Sequence, residues 1–372
     1  MISFELDGDQ RALRDNVRRF LRARAPVRVA RALMTTPLGF QPEVWKQLGA
    51  ELGLQGVAVP ERFGGSGAGA VELGVVMEEL GRVLYPGPFL ASAVFATNAL
   101  LSSGDLAAME TYLPGLASGD LIGTLAVAEK SRQFLAADIT LEARDAGSGW
   151  VLTGAKHFVV HGAVASLLLV AARTPSGISL FAVRGAAPGL VRDDRPVLDQ
   201  TRALASLRFE ATPATLVGDE GLAWPGIEHA LDRSLIALAA ETVGLADAVL
   251  ELTVDYAKTR VQFDRPIGSF QAIKHKLADL VVEIELARSA VDYATRAIDT
   301  DGEGVRGPAC IAIAQAAEAA THATGESIQI HGGVGMTWEH DAHLYFKRAR
   351  ANAALLGTIA AHRERLLQSI GV

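Results

Sequence analysis

The sequence contains a single cysteine, no excess of positive charge and no long apolar run. Because Cys310 stands alone among 372 residues, neither an internal disulfide nor a cysteine zinc cluster can form, and a cytoplasmic location is expected. Lys and Arg number 35 against 42 Asp and Glu, and the net charge of −7 gives no overall field that would attract nucleic acid. The longest apolar stretches, such as residues 163–172, run for about ten residues, whereas a membrane-spanning helix needs ~20. We therefore expect neither a nucleic-acid partner nor insertion into a membrane, and the polar start of the chain does not resemble an export signal.

What the sequence does contain is enough apolar side chain for several packed layers. Hydrophobic residues make up 49% of the chain, and its length is typical of two or three domains. Apolar residues recur at helical spacing in three early segments, residues 8–24, 42–52 and 73–84. Asp7 and Gln10 have the spacing of a capping box at the start of the first segment. Residues 1–118 are therefore predicted to form an all-helical N-terminal domain.

The pattern changes twice after this region. In residues 119–222, short runs in which apolar and polar residues alternate are separated by Gly, Pro and Asp, which is typical of strands. Helical periodicity then returns in four long segments, residues 226–260, 270–299, 306–330 and 341–369. The predicted fold is α+β and multidomain. Its N-terminal helical domain precedes a middle antiparallel β domain, residues 119–222, and a C-terminal four-helix bundle, residues 223–372.

Two short patterns give only weak indications of a site. The glycine-rich residues 64–69 precede a helix, as a phosphate-binding loop does, but no buried strand comes directly before them. We interpret them as a flexible loop that leads into a helix. His340 and His343 have a spacing that two metal ligands on one helix face would share, but the sequence offers no further cluster of ligands. No metal is expected.

Two longer segments are more specific. Residues 256–279 read YAKTRVQFDRPIGSFQAIKHKLAD, and residues 329–345 read QIHGGVGMTWEHDAHLY. Together they closely resemble the C-terminal half of the acyl-CoA dehydrogenase family, flavoenzymes that remove two hydrogens across the α and β carbons of an acyl-CoA thioester. The predicted order of helices, sheet and helix bundle is also that of the family. The resemblance implies FAD as the cofactor, an acyl-CoA as the substrate and an electron-transferring flavoprotein as the electron acceptor.

The resemblance assigns cofactor contacts to seven residues of these segments: Arg260, Phe263, Ile267, Phe270, Gln329, Gly332 and Gly333. Arg260 matches the arginine that meets the FAD diphosphate of a neighbouring subunit, and a planar guanidinium suits phosphate oxygens. The two glycines match a loop whose backbone N–H groups approach the cofactor, since no Cβ is in the way. Phe158 stands where the family has a tryptophan that covers the flavin ring, and Val160 replaces a threonine. In the alternative interpretation, Arg260 caps a helix end and the glycines only make a turn.

The catalytic base is the main departure from the family. The reaction needs a carboxylate within hydrogen-bond reach of the α proton. The two positions at which members carry this Glu are Ser234 and Ala349 here, and neither side chain can act as such a base. The nearby carboxylates are Asp232 and Glu241, and Glu241, about 10 Å from Ser234 along the same predicted helix, is the candidate base. In the alternative interpretation, Glu241 forms an ion pair with an Arg or Lys inside the bundle.

Loss of both base positions, with the cofactor motifs kept, suggests a supporting subunit. The resemblance implies a homodimer, a homotetramer or, as in some bacterial sterol-degrading members, a heterotetramer in which another chain carries the base. Two functions therefore stay open. One is α,β-dehydrogenation of an acyl-CoA to the 2-enoyl-CoA, alone or with such a partner, and the other is a non-catalytic subunit that binds FAD or acyl-CoA. Oxidation by a flavin monooxygenase mechanism is a third alternative, which no residue favours directly.

Overall fold

The computed structural model describes residues 5–130, 134–147, 149–301 and 304–371. Helices come first: α1 (Gly8–Arg24), α2 (Val27–Leu33), α3 (Pro42–Ala50), α4 (Ala70–Arg82), α5 (Thr97–Leu101) and α6 (Leu106–Ser118). α1 begins with the predicted capping box, in which Asp7 accepts a hydrogen bond from the Gln10 N–H (2.8 Å) and the Gln10 side chain accepts one from the Asp7 N–H (3.0 Å). Between α4 and α5, residues Leu90–Ala96 form a buried π-helix.

A seven-stranded sheet follows. Its strands are β1 (Gly123–Ala126), β2 (Glu142–Asp145), β3 (Trp150–Val160), β4 (Leu167–Thr174), β5 (Gly177–Arg184), β6 (Leu190–Arg195) and β7 (Leu204–Val217). Most neighbours pair antiparallel, as predicted, but β1 runs parallel to β4 along its whole length. The sequence pattern does not predict β6, because its charged, largely exposed residues carry no apolar alternation. The apolar side chains of the sheet form one buried cluster that includes Leu168, Phe181 and Phe209.

The rest of the chain is mainly helical. Its elements are α7 (Trp224–Thr259), β8 (Val261–Gln262), β9 (Arg265–Pro266), α8 (Gln271–Asp301), α9 (Arg306–His331), α10 (Ala342–Leu355) and α11 (Ile359–Ser369). The single helical segment predicted for residues 341–369 is wrong, because it is divided into α10 and α11. Gly357 lies between them with φ 121°, a conformation that side-chain-bearing residues rarely adopt, and Thr358 caps α11 by accepting a hydrogen bond from the Ala361 N–H (3.2 Å).

The predicted order of helices, sheet and helices is confirmed, and the class is α+β. Contacts divide the chain into two compact units. The helical unit comprises Met1–Ala32, Ala70–Tyr85 and Leu235–Val372, and the sheet unit comprises Leu33–Gly69 and Pro86–Ser234. α1 and α4 therefore belong with the C-terminal helices, although they are distant in sequence. The domain boundaries drawn along the sequence stay a prediction.

The glycine-rich loop, residues 64–69, leads into α4 as expected, but its first half is packed tightly. A Cβ on Gly65 would lie 2.0 Å from the Val59 carbonyl oxygen. That same carbonyl accepts a hydrogen bond from the Gly67 N–H (2.9 Å). Glycine is required at position 65 because the loop approaches the backbone of its own chain closely. The prediction that this loop is flexible is therefore wrong for its first half, which is tightly packed.

Two glycines allow α4 and α7 to cross in backbone contact. A Cβ on Gly81 would lie 2.0 Å from the Glu241 carbonyl oxygen, and a Cβ on Gly244 would lie 1.9 Å from the Glu78 carbonyl oxygen. Non-bonded atoms do not approach so closely, so any side chain at either position would force the two helices apart.

We expect Gly81→Ala to lower the free energy of unfolding by about 3 kcal/mol or more, because α4 and α7 must separate to admit the methyl group. Gly325→Ala in α9 is the matched control. A Cβ at Gly325 meets nothing within 4 Å, so alanine should raise stability by about 0.5–1 kcal/mol through helix propensity alone. Urea unfolding of both variants checks this. A Gly81→Ala protein as stable as the parent would contradict the backbone contact.

Candidate functional site

A strained turn follows α7 in the first of the two sequence motifs. β8 and β9 pair antiparallel and leave Phe263 and Asp264 as a two-residue turn. Both residues have positive φ, 52° and 60°, as a type I′ turn requires. Such turns favour Asn and Gly, and a bulky residue in this conformation costs about 1–3 kcal/mol. The Phe263 side chain is 85% exposed, so burial within the chain does not offset that cost, whereas a ligand packed on the ring would.

This turn borders a cavity of about 390 Å³ in the helical unit. The cavity is lined by Gln262, Phe263, Ile267, Phe270, Ile273, Lys276, Gln329 and Ile330. Four of the seven residues that the motifs assign to the cofactor therefore meet at one place, although Gln329 comes from a different helix, α9. The wall is largely apolar and aromatic with a few polar groups, which is the usual composition of a site for a flat organic ligand.

The other three motif residues, Arg260, Gly332 and Gly333, do not line this cavity. The Arg260 guanidinium is exposed and has no hydrogen-bond or ion-pair partner in the part of the chain that the structure describes. Gly332 ends α9 with φ 64°, so the turn interpretation holds for its backbone. A Cβ on Gly333 would meet nothing within 4 Å, so this chain alone does not require a glycine there. The interpretation of Arg260 as a helix cap is not supported, because no described carbonyl accepts its side chain.

Phe158 lies in the sheet unit, at an irregular point of β3. The register of β3 against β7 shifts between Lys156 and Val159, and Phe158 there has φ 57°. A left-handed conformation at an aromatic residue is strained and redirects the side chain relative to its neighbours in the strand. The ring is half-buried, and Val160 two residues later is buried without any hydroxyl to donate.

A buried ion pair that the motifs did not reveal supports this part of the sheet unit. The Lys156 ammonium, fully buried, donates hydrogen bonds to Glu129 (2.7 Å) and to the Val127 carbonyl (2.9 Å). Burial lowers the pKa of Lys156 to about 8, against the opposing attraction of Glu129. Glu129 also accepts hydrogen bonds from the backbone of Thr140 and Leu141. The sequence gives no direct signal of this pair, because Glu129 and Lys156 are 27 positions apart.

Neither position that the resemblance assigns to the catalytic base carries an ionisable group. Ser234, fully buried in α7, donates its hydroxyl proton to the Ala230 carbonyl (2.6 Å) and accepts a hydrogen bond from the Asn98 amide (3.2 Å). Ala349 is fully buried in α10. The hydroxyl of Ser234 is thus engaged within its own unit, and at both positions no group is present that could take a proton from carbon.

Glu241 is held in a buried ion pair. Its carboxylate accepts a hydrogen bond from the Arg348 guanidinium (2.7 Å), and the residues are 3% and 1% exposed. Arg348 belongs to a face of α10 that also places the Asn352 amide on the Thr242 hydroxyl (2.9 Å). This is the arrangement that the alternative interpretation of Glu241 describes. The assignment of Glu241 as the base stays a prediction.

A stack of aromatic rings lies at the end of α9, next to the loop that begins with Gly332 and Gly333. The His331 ring stacks on Tyr256 and contacts the His340 ring, with both centroid separations 4.3 Å. Its Nδ1 donates to the Ser327 carbonyl (2.7 Å). His340 Nδ1 accepts a hydrogen bond from the Ala342 N–H (3.1 Å), which requires that nitrogen to be unprotonated. Burial lowers the pKa of both His331 and His340, so both rings are neutral at pH 7.

Models of known protein families match most of the chain. The acyl-CoA dehydrogenase C-terminal domain matches residues 223–371, and the acyl-CoA dehydrogenase N-terminal domain matches residues 7–120. This chain belongs to the acyl-CoA dehydrogenase family. Members of the family are FAD-dependent flavoproteins that act on acyl-CoA thioesters.

Similar proteins extend the match along the whole chain. Acyl-CoA dehydrogenase IpdE2 of Mycolicibacterium smegmatis is 35% identical over 96% of this chain and 97% of its own length. Among solved structures, a variant of the Tcur3481-Tcur3483 steroid ACAD is 31% identical with a TM-score of 0.86, and 97% of each chain is covered. The ChsE4-ChsE5 complex from Mycobacterium tuberculosis is 28% identical with a TM-score of 0.90 over 99% of each chain.

The residues of this family member fit the cofactor. The apolar cavity beside Phe263 suits an aromatic ring system, the unpaired Arg260 suits a phosphate, and the open space beside Gly333 leaves backbone N–H groups accessible. None of the helices in the described residues is both long enough and apolar enough to cross a membrane. Within the same residues, no group of three or more His, Cys, Asp or Glu side chains could hold a metal ion.

Arg348→Met should lower the free energy of unfolding by about 3–5 kcal/mol, because it removes the cation that faces the buried Glu241 carboxylate. Replacing both residues, with Glu241→Leu and Arg348→Met, should recover much of that loss, since no charge then needs solvation. Urea unfolding of the two single variants and the double variant gives the coupling free energy. Additive effects would show that the pair does not act as a unit.

The contribution of His331 and His340 to the free energy of unfolding should be constant above about pH 7 and fall as the pH drops below 6.5, the ordinary pKa of histidine. Because the folded-state pKa values of His331 and His340 are lowered, the unfolded chain binds protons first, with a slope of at most ~1.4 kcal/mol per pH unit for each group. His340→Gln should reduce this slope. An unchanged slope in His340→Gln would contradict the assignment.

Proposed function

We propose that this chain takes part in the FAD-dependent α,β-dehydrogenation of an acyl-CoA thioester to the 2-enoyl-CoA, as a supporting subunit beside a family member that carries the base. The observation that carries the proposal is the contrast within one chain. The C-terminal motif residues that the resemblance assigns to the cofactor are present, while Ser234 and Ala349, at the two positions assigned to the base, are buried and neutral.

The chemistry explains why this contrast matters. Removal of the α proton requires a group that can accept it, and bound FAD supplies the acceptor for the hydride that leaves the β carbon. The Ser234 hydroxyl already donates to the Ala230 carbonyl, and an un-ionised hydroxyl is too weak a base for a carbon acid. Glu241 is a carboxylate, but it is buried and already ion-paired with the Arg348 guanidinium. The remaining site residues are therefore proposed to bind and orient the cofactor and the substrate, and not to take the proton.

Relatives favour a heteromeric assembly. Two of the similar structures are named for two components each, the Tcur3481-Tcur3483 steroid ACAD and the ChsE4-ChsE5 complex. Another similar structure is named as an electron-transferring flavoprotein of Acidaminococcus fermentans, at 26% identity and a TM-score of 0.94. We propose a heterotetramer with a catalytic homologue, a steroid- or fatty-acid-derived acyl-CoA as substrate, and an electron-transferring flavoprotein as electron acceptor. A homodimer or homotetramer is the competing assembly.

A second candidate function is an autonomous dehydrogenase with Glu241 as the base. The position of Glu241 on the same helix as Ser234 favours it, and the Arg348 ion pair disfavours it. The variant Glu241→Gln separates the two functions. If Glu241 is the base, the variant should lose turnover by orders of magnitude while it keeps its FAD, whereas if Glu241 has only a structural role the variant should lose stability instead.

The visible spectrum under anaerobic conditions tests the proposal. We expect no bleaching of the flavin band when the chain alone meets a panel of acyl-CoA thioesters, because no base is present to start the reaction. The same chain, co-expressed with a family member that has Glu at either base position, should bleach with at least one thioester. Full bleaching of the chain alone, at ordinary enzyme rates, would overturn the supporting role.

A further inference from the structure

A second arginine shares the face of the hairpin that borders the cavity. In the antiparallel register Gln262 lies opposite Arg265, and the Ile267 N–H donates to the Arg260 carbonyl (2.8 Å). Directly opposed residues, and residues two apart on one strand, project to the same side of a ladder. Arg260, Gln262, Arg265 and Ile267 therefore form one face. Gln262 and Ile267 of this face line the cavity, and the two arginines are diagonal neighbours with Cβ atoms roughly 7 Å apart.

The Arg265 guanidinium is held in place without being neutralised. Its central carbon lies 4.0 Å from the centre of the Phe270 ring, which itself lines the cavity. No carboxylate pairs with Arg265 among the residues that the structure describes. Lys276, by contrast, lies at the same cavity and is neutralised by Glu326 (2.6 Å). Two unpaired cations thus remain on this face, together with the turn carboxylate of Asp264.

We propose that Arg265 is a second phosphate-binding residue of the cofactor site, and that Arg260 and Arg265 together grip the diphosphate of FAD. This inference rests on the proposed function. A diphosphate presents adjacent anionic phosphoryl groups, and two planar guanidinium groups on neighbouring ladder positions can each donate paired hydrogen bonds to one of them. Stacking on Phe270 fixes the Arg265 side chain before the ligand arrives, so less rotamer entropy is lost on binding.

The arrangement also explains the position of the aromatic residues. Phe270 contacts Arg265 through its face and Phe263 at a centroid separation of 6.1 Å, with the rings nearly perpendicular. The three side chains therefore form one continuous group, in which an aromatic surface adjoins a cation. A ligand with a flat ring system joined to a diphosphate matches both parts, whereas a ligand without phosphate meets only the aromatic part.

The affinity of the full chain for FAD, in the assembly in which it is purified and after removal of bound flavin, tests this inference. Arg265→Gln should raise the Kd for FAD roughly tenfold, as loss of a charge-assisted hydrogen bond predicts, and should weaken its salt dependence. Binding of riboflavin, which has no phosphate, should be unchanged. Arg265→Lys keeps the charge and should retain part of the affinity. Lys258→Gln, which removes an exposed cation 4.0 Å from Asp255, is the control and should bind FAD like the parent.

Each result bears on one of two claims. If the parent binds FAD and Arg265→Gln binds it equally well, the role of Arg265 is wrong while the proposed function stands. If Arg265→Gln weakens FAD and riboflavin alike, Arg265 serves only to pack against Phe270, and the phosphate contact is again wrong. If the parent binds no FAD in any assembly, the proposed function fails and this inference fails with it.

Discussion

The helical unit depends on the contact between α4 and α7. Because Gly81 and Gly244 have no side chains, the two backbones touch, and the end of α4 lies next to the middle of α7. α10 uses both helices at once. The Tyr345 hydroxyl donates to the Arg82 carbonyl (2.7 Å) at the end of α4, and the Arg348 guanidinium donates to Glu241 (2.7 Å) on α7. α10 can make both hydrogen bonds only if α4 and α7 stay this close. The crossing of α4 and α7 therefore also sets the position of the loop with Gly332 and Gly333, which precedes α10.

Positive charge is distributed in this unit according to burial. Arg348 is 1% exposed and is neutralised within the chain by Glu241, as the desolvation of a guanidinium requires. Arg260 and Arg265 are exposed and carry their charge unpaired on one hairpin face, among the described residues. The acidic chain as a whole would repel an anion at long range, with a net charge of −7. A local pair of arginines on one hairpin face would let such a chain bind phosphate despite its net negative charge.

Local patterns in the sequence predicted local structure well. The capping box of α1 and the helical periods of α4, α7, α8 and α9 each depend on residues a few positions apart. The motif residues Phe263, Ile267, Phe270 and Gln329 were predicted to serve one ligand, and they do border one cavity. Features set by distant contacts were not predictable in this way. Which cation faces Glu241, why β1 runs parallel to β4, and the left-handed conformation of Phe158 all depend on tertiary neighbours that no local period encodes.

The combination of kept and lost residues has a thermodynamic explanation. A carboxylate at a buried base position must be desolvated, and it lowers stability by several kcal/mol unless a partner compensates it. Ser234 and Ala349, both fully buried, avoid that cost. The residues proposed to face the cofactor would have the opposite effect, because a ligand that binds only the folded chain stabilises it by mass action. In a subunit whose partner performs the proton transfer, loss of the base therefore favours stability, whereas loss of the cofactor face would reduce it.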